Sequence, residues 1–146
     1  MSDFRMLSDS VIASPQLTLA DVAAASSMGV KLIVNNRPEG EADDQTPGAA
    51  IEAAARGEGM EYLAIPVTPG SFDEAQVSAM CDALDGNDGN VLAYCRTGTR
   101  STLLWALAQA ANGEPLETIV AAASAAGYDV SPVLPAMAEL ARRGRR

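Results

Sequence analysis

The chain contains no histidine, two cysteines, one tryptophan and only 4% aromatic residues. Without histidine, neither a Ser-His-Asp triad nor a Cys-His pair can be assembled. The same lack, with only two cysteines, argues against a tetrahedral zinc site of the usual ligands, and no metal or cofactor is expected. Nor do two cysteines make a disulfide scaffold. Basic residues are scarce as well: ten Lys and Arg against nineteen Asp and Glu give a net charge of -9. Sequence-independent nucleic-acid binding needs a basic surface, so that class is excluded. The one basic run, Arg142-Arg143-Gly144-Arg145-Arg146, suits the carboxyl end of a helix, where positive charge meets the macrodipole. Long apolar runs are missing too, so no membrane span or membrane partner is expected. The start, Met1 to Arg5, lacks the basic segment and apolar block of a secretory signal, and a cytoplasmic location is expected.

What remains is the composition of one ordinary globular domain: 146 residues, 48% hydrophobic and 20% charged. Strand and helix patterns alternate along it. Ser10-Val11-Ile12-Ala13 is a short apolar segment, and Thr18-Leu19-Ala20-Asp21 has the form of a helix start with an acid in the first turn. That helix should stop near Gly29. Lys31 to Asn35 reads as a buried strand, Ala49 to Arg56 as a helix, and Glu61 to Val67 as a second strand with Pro66 near its end. Ser71 is the expected cap of a helix through Val77, Met80, Cys81 and Leu84, which places Cys81 on the apolar face. Asn90 to Tyr94 is a third strand, followed by helices from about Ser101 to Asn112, Leu116 to Ala126 and Pro132 to Arg143.

Strands separated by helices imply parallel crossovers, hence an α/β domain with an open, mainly parallel central sheet and helices on both faces. Residues 1–146 form a single unit, with no internal repeat and no dividing linker. In such sheets ligands bind beyond the carboxyl ends of the strands. Here those ends are Asn35-Asn36-Arg37, Pro66-Val67-Thr68 and Cys95.

The segment Cys95-Arg96-Thr97-Gly98-Thr99-Arg100-Ser101 carries the chemistry. A helix start leaves backbone N–H groups without partners and adds positive potential. A loop wound around that end, with Gly98 free to take an unusual backbone angle, points amides at an anion, and Arg100 adds a planar fork of donors. A thiol at the bottom of such a cradle is expected to have a lowered pKa and to serve as a nucleophile without a histidine base. The candidate anion-binding residues are Arg96, Thr97, Gly98, Thr99, Ser101 and Arg37, around a small anionic substrate or a phosphorylated molecule. Ser101 or Thr102 either bonds the thiolate or caps the helix. Arg37 either binds the substrate anion or pairs with Glu39, Glu41 or Asp44, and an acid of the same loop is an alternative partner for Arg100. Arg96 is expected to face solvent and draw anions to an acidic protein. Trp105 is expected in the core.

Cys95 to Ser101, the upstream Asn35-Asn36-Arg37-Pro38-Glu39-Gly40-Glu41 and the central Tyr62-Leu63-Ala64-Ile65-Pro66-Val67 resemble the phosphatase-like domain family of the beta-lactamase-hydrolase-like proteins. The similarity extends to Trp105-Ala106-Leu107-Ala108 and Ala126-Gly127-Tyr128-Asp129. It implies a fold like that of the cysteine-dependent dual-specificity phosphatases, a hydrolase of phosphatase type or a sulfurtransferase, and a metallo-hydrolase domain as functional partner. It also implies an aspartate upstream of the cysteine as general acid, for which Asp73, with Glu74 beside it, is the available residue. The same Asp73 fits a first-turn helix carboxylate. The chain departs from the tyrosine-phosphatase signature: four residues, not five, separate Cys95 from Arg100, and Tyr94 stands where a histidine is usual. The heptad is similar to the loop of rhodanese-type sulfurtransferases. Hydrolysis of phosphate monoesters through a cysteinyl-phosphate is the leading expectation, with persulfide transfer on the same cysteine as the alternative. A non-catalytic anion-binding or redox-sensing module comes third.

Overall fold

The computed structural model describes residues 2–143. Five strands form one sheet: β1 (Arg5–Met6), β2 (Val11–Ser14), β3 (Val30–Asn35), β4 (Glu61–Ala64) and β5 (Asn90–Tyr94), in the order β1-β2-β5-β3-β4. β1 pairs antiparallel with β2, and the other pairings are parallel. Among the described residues six helices accompany the sheet: α1 (Leu19–Ser27), α2 (Gly48–Gly57), α3 (Glu74–Asp85), α4 (Thr99–Ala111), α5 (Leu116–Ala125) and α6 (Leu134–Arg142). A 3₁₀ turn at Ser131–Val133 leads into α6. Among the described residues, no helix is long and apolar enough to cross a membrane.

Side chains alternate across a strand, so each of the inner strands β2, β3 and β5 feeds two cores. Ile12, Ile33, Leu92 and Tyr94 pack with Val22 of α1 and Ile51 and Ala55 of α2. Val11, Val34, Val91 and Ala93 pack on the other face with Val77 and Met80 of α3, Ile119 of α5 and Met137 of α6. An irregularity between Val30 and Leu32 turns these two residues to opposite faces and leaves Lys31 exposed. α4 lies at the centre of the second layer. All its residues except Thr99 and Gln109 are buried, the pattern of a helix surrounded on every side. Trp105 and Cys81 are core residues, and neither cysteine is in a disulfide.

Several elements differ from the sequence expectation, each for a local reason. β4 ends at Ala64 because Pro66 has no N–H to give to a ladder. The segment still follows β3, with Ile65 N–H donating to Asn35 O and Val67 N–H to Asn36 O, each at 2.9 Å. α3 is capped by Asp73 rather than Ser71: Asp73 accepts from Gln76 N–H, and the Gln76 side chain accepts from Asp73 N–H, both at 2.8 Å. α4 starts at Thr99, two residues earlier than expected, because Gly98 takes a φ of +91° and turns the chain directly into the helix. The two-residue β1 carries no apolar pattern that could announce it. The helix-end role expected for the basic tail holds for the part described. Arg142 pairs with Glu139, and Arg143 reaches Glu74 at 2.7 Å, tying α6 to α3. Residues 144–146 lie outside the described residues.

Leu104 is fully buried on α4, so Leu104→Ala should lower unfolding free energy by about 2–5 kcal/mol in urea titrations. The exposed Leu19→Ala should change it by less than about 0.5 kcal/mol. Equal effects of the two would contradict the placement of the core.

Candidate active site

The exits of β2, β3 and β5 converge on Cys95. Cys95 N–H donates to Ser14 O at 3.4 Å, Gln16 N–H to Arg96 O at 3.2 Å, and Asn36 N–H to Tyr94 O at 2.8 Å. The start of the loop is thereby held between two parallel neighbours. Cys95 is fully buried, and its Sγ accepts the Gly98 N–H at 3.1 Å. Beyond Gly98 come the first-turn amides of α4: Thr99 N–H donates to Thr97 Oγ1 at 3.4 Å, and those of Arg100 and Ser101 have no acceptor within the helix. This N-terminus carries positive potential toward the sulfur.

The hydroxyls of the first turn serve structure and do not bond the thiol. Ser101 Oγ donates to Asn36 Oδ1 at 2.7 Å, and Asn36 Nδ2 donates to Ile65 O at 2.9 Å, a buried chain from α4 across β3 to the end of β4. Thr102 Oγ1 donates to Gly98 O at 2.8 Å, fixing the turn from inside the helix. Thr97 and Thr99 are exposed and bond each other at 3.0 Å, and Arg96 faces solvent as expected.

Glu41 organises the cations. Its carboxylate takes a two-pronged contact from Arg100, each bond 2.8 Å, and a third bond from Arg37 Nε at 2.9 Å. Arg100 also donates to Val67 O at 2.8 Å, and Arg37 to Gln16 Oε1 at 2.9 Å. Both guanidinium groups are buried. Of the alternatives open for Arg37, the structure realises the ion pair with Glu41, and the acid of that loop holds Arg100 as well. The Arg100 hydrogen bonds, ahead of those from Arg37, pull the Glu41 carboxyl down to about 2 against the cost of burial. The Glu41 bonds raise the Arg100 pKa first, and the adjacent Cys95 adds to this.

Cys95, Arg100, Gly98 and the first turn of α4 therefore come together, with Arg37 one carboxylate away. Asp73 does not join them by any contact. Its side chain is the α3 cap, and it lines a groove with Val77, Leu107 and Arg143. Tyr94 points away from the site into the other core, where burial pushes its phenol pKa up. Gln16 carried no signal in the sequence. Tyr128, whose hydroxyl reaches Thr97 O at 3.2 Å, was visible only as part of a similar block. Among the described residues no cluster of acidic or cysteine side chains is placed to hold a metal.

A cysteine at the exit of a central parallel strand, a glycine turn and an arginine in the next helix sit on a fold of the dual-specificity-phosphatase type. The chain belongs to the phosphatase-like domain family of the beta-lactamase hydrolase-like proteins, whose model matches residues 3–112. A beta-lactamase hydrolase-like protein of Xylella fastidiosa strain Temecula1 is 36% identical over 103 residues, which are 70% of this chain and 24% of that protein. The chain thus spans about a quarter of the length of the curated relatives it matches. A crystal structure of a phosphatase candidate from Neisseria meningitidis Z2491 is 32% identical, with a TM-score of 0.83 over 94% of this chain and 98% of that one. The kinase-associated phosphatase, at 16% identity, shares the fold with a TM-score of 0.70 over 96% of this chain and 91% of its own.

Glu41→Gln would leave two buried guanidinium groups facing an amide, at a cost of about 2 kcal/mol in unfolding free energy near neutral pH. The Glu41 pKa is depressed in the folded state, so its contribution is present above the ordinary carboxyl range and lost as pH falls toward about 2. Denaturation of both proteins from pH 7 downward should therefore show the gap closing below about pH 4. A gap that stays constant would contradict this account.

Proposed function

We propose that the domain is a cysteine-dependent group-transfer enzyme in which Cys95 attacks an anionic substrate, and that the group transferred is sulfane sulfur. The observation that carries the choice is the state of the carboxylates. Hydrolysis of a phosphate monoester needs an acid for the departing oxygen. Glu41, the carboxylate at the site, is held ionised by two guanidinium groups, and Asp73 is engaged as a helix cap. A sulfite or thiolate leaving group needs no such acid. The four-residue spacing between Cys95 and Arg100 also makes a small bowl that suits a single sulfur.

In this reading the Cys95 thiolate attacks the outer sulfur of a donor such as thiosulfate. The donor S–S bond breaks, its electron pair leaves on sulfite, and Cys95 carries a persulfide. An acceptor thiolate then attacks the outer sulfur and displaces the Cys95 thiolate. The Gly98 N–H, the first-turn amides and Arg100 stabilise the negative sulfur, and exposed Arg96 draws the anion in. Arg37 acts through Glu41 by fixing Arg100. A metallo-hydrolase-type partner in the cytoplasm would consume the sulfur that Cys95 hands on.

The second reading is phosphatase-type hydrolysis through a cysteinyl-phosphate, favoured by the family and by the fold of its neighbours. In that case Asp73 would have to leave its cap to act as acid.

Incubation with thiosulfate should add one sulfur to Cys95 by mass spectrometry, and transfer to cyanide should be abolished in Cys95→Ser. Arg100→Lys should lower transfer about a hundredfold, because the fork of donors is lost. Phosphate release from an aryl phosphate, abolished in Cys95→Ser and unaccompanied by a persulfide, would replace this reading with the second.

A further inference from the structure

Tyr128 lies in the turn after α5, outside every element that builds the thiol cradle, yet its side chain reaches that cradle. Its hydroxyl donates to Thr97 O at 3.2 Å. Thr97 C=O and Gly98 N–H belong to one peptide group, and that N–H is the donor to Cys95 Sγ at 3.1 Å. A trans peptide directs its carbonyl and its N–H in opposite directions. One rigid plane therefore connects the Tyr128 hydroxyl to the Cys95 sulfur. A donor at the carbonyl polarises the whole amide and strengthens the bond its N–H makes.

The surroundings hold this arrangement in place. A side chain at Gly98 would bring its Cβ to 2.2 Å from the Tyr128 hydroxyl and 3.3 Å from Ser14 C, so the glycine and the tyrosine fit each other. Arg5 lies over the Tyr128 ring at 5.5 Å and donates to Ala126 O at 3.0 Å, fixing the turn from the sheet edge. A side chain at Gly127 would place its Cβ 2.4 Å from Arg5 Nη1. Three segments distant in sequence thus hold the Tyr128 side chain, the Arg5 segment at its ring and the Ser14 and Thr97–Gly98 segments at its hydroxyl.

We propose that Tyr128 is a positioning residue for the Cys95 nucleophile, acting through the Thr97–Gly98 peptide to stabilise negative charge on the sulfur. The inference rests on the reading of Cys95 as nucleophile. The other charged or titratable groups around the sulfur are Arg100 on α4, with Glu41 and Arg37 behind it, and Arg96 in the loop. Arg5, paired with Asp3, stands behind Tyr128 on the amino-terminal segment.

The variant is Tyr128→Phe, which keeps the ring under Arg5 and removes only the hydroxyl. The measurement is the rate of Cys95 alkylation by iodoacetamide, located by mass spectrometry, in folded protein of unchanged melting temperature. Below the pH at which the thiol ionises the rate should fall by up to about twofold, because a polarising donor supplies only part of one hydrogen bond. At about pH 9.5, where an ordinary thiol is already ionised, the two proteins should react alike. Equal rates both on the acid side of the thiol's ionisation and at about pH 9.5 would overturn the proposal. So would the same loss at both, which would mean altered access to the sulfur and not charge. Sulfur transfer and phosphate release are measured on the same samples. If the wild type shows neither, the proposed function fails, while the alkylation ratio still decides the role of Tyr128.

Discussion

The site depends on one backbone constraint, the left-handed turn at Gly98. Its φ of +91° lets α4 begin at Thr99, so only three residues separate Cys95 from the first residue of the helix. The helix N-terminus is thereby brought onto the strand exit where the sulfur lies. An L side chain there would be strained and would collide with Tyr128. The turn is also secured from within the helix, where Thr102 bonds Gly98 O through both its amide and its hydroxyl. With the helix starting this early, Arg100 falls on its first turn, from which its fork reaches Glu41 and Val67 O. A looser loop would leave both the amides and the guanidinium free to wander, and preorganised donors are what such a site offers a developing charge.

The layers on either side serve that constraint. α4 is buried on every face and rich in alanine, which lets α3, α5 and α6 pack close around it and fixes its axis against the sheet. On the opposite layer, Glu39 accepts from the amide of Gly48 at 3.0 Å through either carboxylate oxygen, closing the loop after β3 onto α2. Gln45 bonds Glu41 N–H and Pro38 O, giving that loop an internal brace. Glu41 is thus delivered to the two arginines by a loop anchored at both ends.

The sequence carried the fold well because its signals were local. The short apolar runs of β3 and β5 and the Thr18–Asp21 cap each depend on residues that are neighbours in the chain. Cys95 and Arg100 were legible for the same reason. α4 starts two residues before the expected Ser101, because a glycine in a polar loop does not reveal which sign of φ it will adopt. Asp73 was equally readable as acid or as cap, and only the placement of Gln76 shows that the cap bonds form. Glu41, Gln16 and Tyr128 reach the site from distant segments through contacts that no spacing rule encodes. That Glu41, rather than Glu39 or Asp44, would take both arginines was decided by how the loop folds back.

Charge balance gives the last link. Arg37, Arg100 and Glu41 sum to one positive charge in a buried cluster, within a chain of net charge -9. A single thiolate on Cys95 would neutralise that cluster, and the desolvated arginines would then be compensated on all sides. A persulfide carries the same single charge as the thiolate it replaces, so sulfur transfer leaves the electrostatics of the buried cluster unchanged between its two resting forms. A cysteinyl-phosphate would place an additional negative charge against donors already committed to Glu41 and Val67. The hydrogen bonds that satisfy Arg100 therefore also limit how much new charge it can accept, and this favours the smaller transferred group.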